Sequence, residues 1–221
     1  MPIWELLQTY SSVLVHGTWV TCTQFVLAAL VAISVALVAG LGKLSPNPLI
    51  HGASVVYIEI FRGTSLLVQL YWIFFVLPLF GVTLPNFVAG FMSVGLNYGA
   101  YGAEVVRGAI QAVPRGQWEA AIALSMSPYM RMRRIVLPQA FALMLPPWGN
   151  LLIELLKGTA LVSLISVTDL MFEAKQINAS TYASAQAFGA ALIIYYLLAR
   201  GTITPIMRWA ERAMARRLGR Q

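Results

Sequence analysis

Charge is scarce in this sequence. Asp, Glu, Lys and Arg make up 10% of 221 residues while 59% are hydrophobic, against about 25% charged in soluble domains. So few ionisable side chains cannot form the polar skin that a water-soluble body needs, which excludes a soluble globular protein. The single cysteine, Cys22, excludes an intrachain disulfide framework and a multi-cysteine metal site. Of the two histidines, His16 and His51 lie far apart and no HExxH pattern occurs, so metal binding has no support. Both histidines read as interfacial polar residues, and Cys22 as a small apolar packing group. No GxxxxGK[ST] phosphate loop is present, so any energy from ATP must come from another subunit.

What the chain does have is long runs without charge, and a spanning helix needs about 20 apolar residues. Leu6 to Gly42 is one such run; no basic segment precedes it and it is too long for a secretory signal. Gly63 to Ala103 is a second, 41 residues long, interrupted by the turn residues Gly81-Val82-Thr83-Leu84-Pro85-Asn86 and so readable as a hairpin of two spans. Ile135 to Ile153 and Gln176 to Ala199 supply the fourth and fifth, the fourth expected to be broken by Pro138, Pro146 and Pro147. The reading is a single all-α integral membrane domain over residues 1–221, with five spans near 13–41, 64–80, 87–106, 137–157 and 184–206.

Positive charge accumulates on the inner face of a membrane. With the N-terminus outside, inner segments hold Lys43, Arg62, Arg107, Arg115, Arg131, Arg133, Arg134, Arg208, Arg212, Arg216, Arg217 and Arg220, and outer loops hold Lys175 alone. Twelve against one places the C-terminus inside. The basic tail from Arg208 reads as a stop-transfer segment, with an interfacial helix on anionic lipid as the alternative. The net charge of +7, which would suggest nucleic acid in a soluble chain, here marks inner loops.

The longest inner loop, about 112–136, carries more order than a connector. Trp118 to Leu124 are strong helix formers following Pro114-Arg115-Gly116, and Ser127-Pro128 has the form of a second helix start. Two short helices would meet at Ser125-Met126-Ser127. Such a basic helix pair beneath a membrane suits force transmission to a cytosolic partner; the plainer alternative is an amphipathic loop on lipid headgroups.

Glu119-Ala120-Ala121, then Ser125, then Ile135-Val136-Leu137-Pro138 resembles the EAA loop of the membrane subunits of ATP-binding-cassette importers. Phe61-Arg62-Gly63-Thr64-Ser65-Leu66-Leu67-Val68-Gln69, Ala103 to Pro114 and Leu155 to Ser163 resemble the polar amino acid branch, which includes histidine and glutamine permeases. Within it, Tyr98 to Glu104 and Ile153 to Ala160 look most like ectoine and hydroxyectoine permease subunits. The resemblance implies the type I importer fold, a cytoplasmic coupling loop and a bacterial inner-membrane location. It further implies an ATPase subunit dimer that uses ATP and Mg, an extracytoplasmic binding protein, and a second permease subunit, a paralogue rather than a self-pair. No cofactor is expected in this chain. Glu119, Ala120, Ala121, Ser125, Met126, Ser127 and Pro128 are the coupling residues it implies. The family usually has Gly at the place of Ser125, so a serine there would require a slightly different turn or carry about 1 kcal/mol of strain.

An importer also needs polar groups inside the bilayer, where a charge costs about 2.5–3.5 kcal/mol and survives only paired or wet. Glu154 and Lys157, spaced i,i+3, could receive the cation and carboxylate of a zwitterion. The alternative is an internal salt bridge that only balances insertion cost. Asn97, Tyr98 and Tyr101 could line the same path. Glu104 with Arg107, and Glu59 with Arg62, read as structural ion pairs near the inner leaflet. Gly95, Gly99 and Gly102, at i, i+4 and i+7, read as a surface for close helix packing. Ser163 to Thr181 is too polar to span and too long for a turn, so an outer scoop is expected there. Two other functions fit the composition, an intramembrane enzyme using Glu154 with Lys157 or the histidines, and a homo-oligomeric channel; neither needs a two-helix handle inside.

Overall fold

The computed structural model describes residues 2–217; Arg220, counted above in the inner tail, lies outside them. Its α-helices are α1 (Ile3–Thr9), α2 (Ser11–Gly42), α3 (Pro48–Gly63), α4 (Leu66–Tyr71), α5 (Asn86–Gln111), α6 (Arg115–Ala123), α7 (Pro128–Arg131), α8 (Leu137–Gly158), α9 (Leu170–Thr181), α10 (Ser184–Leu198) and α11 (Thr204–Arg217). No strand occurs among the described residues.

α2 and α5 run side by side in the same direction, because small residues let their backbones approach. A Cβ on Gly95 would lie 2.7 Å from Val31 Cβ, one on Gly102 would lie 2.9 Å from Ala36, and one on Gly40 would lie 2.7 Å from the Ala103 carbonyl. Ala28, Ala32 and Ala36, all fully buried, repeat every fourth residue along α2 and present the matching stripe.

Between α3 and α4 the chain bends by 107°. Thr64 and Ser65 are extended there, and side chains replace the lost helical partners. Gln69 Nε2 donates to the Phe61 carbonyl (2.9 Å) and to Thr64 Oγ1 (2.6 Å), while Asn97 Nδ2 reaches the Phe61 carbonyl and Gln69 Oε1, each at 3.0 Å. The expected spans 13–41 and 64–80 leave the segment between them, with Lys43 and Arg62, as an inner loop. The structure instead makes 48–63 a helix, started by the Asn47 cap and Pro48, so a broken pair replaces the short second span. Beyond α4, residues 72–76 widen to a π-turn and 77–80 tighten to a 3₁₀-turn before Gly81 (φ 84°) ends the element.

The expected break in the fourth span is absent. Pro138 sits in the first turn of α8, where no partner is lost, and Pro146 and Pro147 are absorbed inside one continuous helix. Adjacent prolines forfeit neighbouring hydrogen bonds, but the packing of Ala140, Met144 and Gly149 against other helices keeps the axis intact. Residues 159–165 then form a 3₁₀-turn, Ser166 (φ 60°) reverses the chain, and α9 follows. α10 continues into α11 through a π-turn at 199–203.

Three continuous helical runs, Ser11–Gly42, Pro128–Ile165 and Ser184–Arg216, are long and apolar enough to cross a membrane, and the bent pair makes a fourth if counted as one span. At 26 residues α5 is long enough, but it is not apolar enough to stand with them.

Candidate functional site

The loop between α6 and α7 owes its shape to backbone hydrogen bonds. Met126 N donates to the Ala121 carbonyl (3.1 Å) and Ser125 N to that of Ile122 (2.8 Å), the paired bonds of a Schellman helix end. That motif needs a left-handed residue, and Ser125 takes it at φ 54°, the strain anticipated from the missing Gly. Ser127 Oγ then caps α7 by accepting from Met130 N (3.3 Å). Ala121 turns inward and is buried, while Glu119, Ala120, Ser125 and Pro128 are exposed and Met126 is half-buried. Ile122, Leu124 and Tyr129 are 58%, 76% and 71% exposed, an apolar cap beside the Glu119 carboxylate. Trp118 anchors the loop from behind, packed on the Val136 and Ala140 cluster with the Arg131 guanidinium 5.8 Å from its ring.

At the ends of α2 and α5, Glu104 accepts from Lys43 Nζ at 2.7 Å and from Arg107 at 2.7 and 2.9 Å. Glu59 lies 3.8 Å from the same Lys43. The expected Glu59–Arg62 pair does not form. Lys43 takes the carboxylate, and Arg62 lays its guanidinium 5.4 Å from the centre of the Tyr101 ring. Spacing of i,i+3 permits a pair, but the bend after Gly63 directs Arg62 elsewhere.

From Arg62 a polar surface continues past Tyr101 and Tyr98. The Tyr101 and Tyr98 rings are 6.3 Å apart, Tyr98 lies against Gly158 where a Cβ would come within 2.8 Å, and one turn back Lys157 Nζ donates to Glu154 Oε1 at 2.8 Å. The Glu154 and Lys157 side chains are 58% and 61% exposed although they sit in a run apolar enough to cross a membrane. Asn97, expected with them, is only 4% exposed and its amide is spent on the bend, so it supports the face from behind.

Charge-free runs use Arg200 only as a boundary, yet it belongs to this region. Arg200, Lys157, Ile153, Tyr196 and Thr204 share a cavity of about 430 Å³ between α8 and the last helices. The signal in the sequence is the fourfold spacing Arg200, Thr204, Arg208, Arg212, Arg216, which puts one row on one helix face.

At the far end of α8, Asp169 fastens α9 to the spans. Its Oδ1 accepts from Phe172 N (2.9 Å), its Oδ2 from the Tyr195 hydroxyl (3.2 Å), and Thr21 Oγ1 accepts from Leu170 N (3.1 Å). Burial pushes this carboxyl up to about 6, against the lowering influence of the Phe172 and Met171 amides, Tyr195 and Lys175.

Residues 28–216 match the family model of the binding-protein-dependent transport system inner membrane component. A probable amino-acid ABC transporter permease of Sinorhizobium fredii is 46% identical over 214 residues, covering 94% of this chain and 89% of the relative. An L-cystine transport system permease of Bacillus subtilis is 37% identical over 177 residues, covering 80% and 76%. The crystal structure of an amino acid ABC transporter with histidines superposes with a TM-score of 0.89 at 35% identity, covering 96% of this chain and 99% of that one. With the helical layout and the capped two-helix loop, these matches place the chain in the binding-protein-dependent transport inner membrane component family, as a permease subunit of an amino acid ABC importer with the type I fold.

Proposed function

We propose that this subunit moves a small zwitterion, an amino acid in the first instance, from an extracytoplasmic binding protein across a bacterial inner membrane by alternating access. The N-terminus lies outside and the C-terminus inside, following the Lys/Arg distribution. The observation that carries the reading is the half-exposed Glu154–Lys157 pair within an apolar run, since charges there persist only against water, solute or a second subunit. Tyr98 and Tyr101 stand beside it as aromatic walls, and the pair offers an acceptor and a donor to opposite ends of a zwitterion. One subunit presents this face open, so a second permease, a paralogue by preference, closes the path. Relatives named for amino acids favour that class of cargo; ectoine and hydroxyectoine share the zwitterion chemistry and belong among the competitors.

The α6–α7 loop is the handle for the ATPase. Its apolar cap of Ile122, Leu124 and Tyr129 would seat in a groove of the nucleotide-binding subunit, with Glu119 meeting donors there. Glu119 has no ion-pair partner among the described residues, so reversing its charge breaks nothing inside this chain. Glu119→Lys should leave the subunit inserted and folded yet abolish solute-stimulated ATP hydrolysis by the reconstituted complex, with a panel of glutamine, cystine, histidine and ectoine as stimulants. Normal stimulation in the variant would refute the coupling role.

A further inference from the structure

The last helix carries a row of cations that the solute face described above does not use. Arg200, Thr204, Arg208, Arg212 and Arg216 line one cavity of about 380 Å³ with Trp209 on its wall. Arg200 and Thr204 also line the cavity that holds Lys157. The two hollows therefore share a wall at Arg200 and Thr204, and together they line the face that runs from Lys157 down α11. All four arginines are exposed, and none has an ion-pair partner among the described residues. The sole acid of α11, Glu211, does not line the groove.

Depth decides what such a row can face. Met207 packs on Gly149, where an added Cβ would meet its side chain at 3.4 Å. Gly149 is twelve residues into α8, about 18 Å along the helix at 1.5 Å per residue. Arg208 is therefore level with the body of the bundle, and Arg200, two turns further outward, is level with Lys157. A row confined to lipid headgroups would not climb so far, and arginine facing hydrocarbon at that depth would cost several kcal/mol. Arg200 also sits in the π-turn 199–203, an irregularity that frequently marks functional positions and that brings Arg200 onto the same side as Arg208.

We propose that Arg200, Arg208, Arg212 and Arg216 form a cationic track along the translocation path, which takes the carboxylate of the solute from Lys157 and leads it towards the cytoplasmic side. Guanidinium forks about 12 Å apart from Arg200 to Arg208 and about 6 Å apart from there to Arg216 offer successive bidentate partners of similar strength, so no single position traps the anion. The inference rests on the importer reading, and it predicts selectivity for solutes that carry a free carboxylate.

The test uses the assembled transporter in proteoliposomes, with Cys22→Ala to remove the native thiol and Thr204→Cys as a reporter that leaves every arginine in place. Its labelling by an anionic sulfonatoethyl and a cationic trimethylammonium-ethyl methanethiosulfonate is compared, each normalised to a free thiol. A cationic groove should favour the anionic reagent by about tenfold or more, and Arg200→Gln with Arg208→Gln should bring the ratio towards one. Arg212→Cys serves as the reporter if Thr204→Cys does not assemble. Equal normalised rates would overturn the proposal. So would silence towards both reagents in resting and vanadate-trapped states, or labelling that appears only after lipid is stripped, which would assign the groove to a phospholipid phosphate. Uptake of labelled glutamine, cystine and histidine is measured in parallel. Loss of ATP-driven uptake of all three with anion-selective labelling intact would refute the importer reading and leave the track standing.

Discussion

The seam between α2 and α5 and the face shared by α8, α10 and α11 occupy similar depths and are built from opposite materials. In the seam, Gly40, Gly95, Gly99 and Gly102 meet Ala28, Ala32, Ala36 and Val106, and no charged side chain enters until Lys43 and Glu104 close the end where α2 stops. On the face, Glu154, Lys157, Arg200, Arg208 and Arg212 stand exposed within runs long enough to cross a membrane. Lipid offers helices no hydrophobic reason to associate, so close backbone contact holds the seam, while the face retains polar groups that only water, solute or another subunit can satisfy. The seam completes the subunit internally; the face leaves it unfinished.

The largest expected effect breaks the seam. A Cβ at Gly95 would fall 2.7 Å from Val31 Cβ and 2.9 Å from the Ala28 carbonyl, and the carbonyl belongs to a helix backbone that cannot yield. Gly95→Val should therefore exceed the 1–3 kcal/mol of ordinary overpacking and abolish recovery of assembled permease from membranes. Gly108 has open space around its position, so Gly108→Ala should express normally. Equal yields for the two variants would refute the account of the seam.

The contrary result is expected on the face. Replacing Glu154 and Lys157 together with Leu removes two charges from a membrane run, so insertion should become more favourable by several kcal/mol while uptake falls by an order of magnitude or more. The double variant matters because single replacements leave one charge unpaired. Undiminished uptake with good expression would reduce the pair to an insertion device.

A smaller effect is expected at the bend, which belongs to neither region. Gln69→Leu removes one of two partners from both the Asn97 amide and the Phe61 carbonyl, which keep each other, at a cost of about 1–3 kcal/mol in a buried setting. Earlier thermal inactivation of the purified complex, with the KM for glutamine unchanged, would fit a structural role. A changed KM with unchanged inactivation would instead put the Asn97 amide on the path.

Much of the seam was legible in the sequence, because residues at i, i+4 and i+7 share a helix face and small ones have few other uses in an apolar run. The coupling loop was legible for a similar reason: Ser127-Pro128 and the departure at Ser125 are local signals that the hydrogen bonds of the loop obey directly. Three features were not. The 107° bend depends on Gln69 and Asn97 meeting across 28 residues, and spacing says nothing about such distant contacts. Prolines 146 and 147 carry a strong local signal for a break, but tertiary packing overrides it. Arg200 was hidden because a charge that ends an apolar run looks like a boundary until the helix is seen to continue past it.

The smallest effect concerns Asp169, which joins α9 to the spans and titrates in an accessible range. Burial raises its carboxyl to about 6, above the value of roughly 4 for an unfolded chain. Between those values the folded protein holds the proton more firmly than the unfolded one, so this group's stabilisation is full below about pH 4 and is lost as pH rises through 6. Docking of α9 should be tighter at pH 5 than at pH 7.5, seen as greater amide-exchange protection in residues 170–181 after correction for intrinsic rates. Lys175 and Tyr195 face the carboxyl, and the His16–Glu173 contact at 3.9 Å lies on the same helix, so the comparison belongs in a His16→Gln background. Asp169→Asn keeps an N-cap acceptor and turns an amide donor towards the Tyr195 hydroxyl oxygen, which can accept it, but carries no titratable proton, and should flatten the pH dependence while leaving α9 docked. Protection that rises from pH 5 to 7.5 in the parent would mean that attraction to Lys175 outweighs burial, and would move Asp169 from the packed side of the comparison to the charged one.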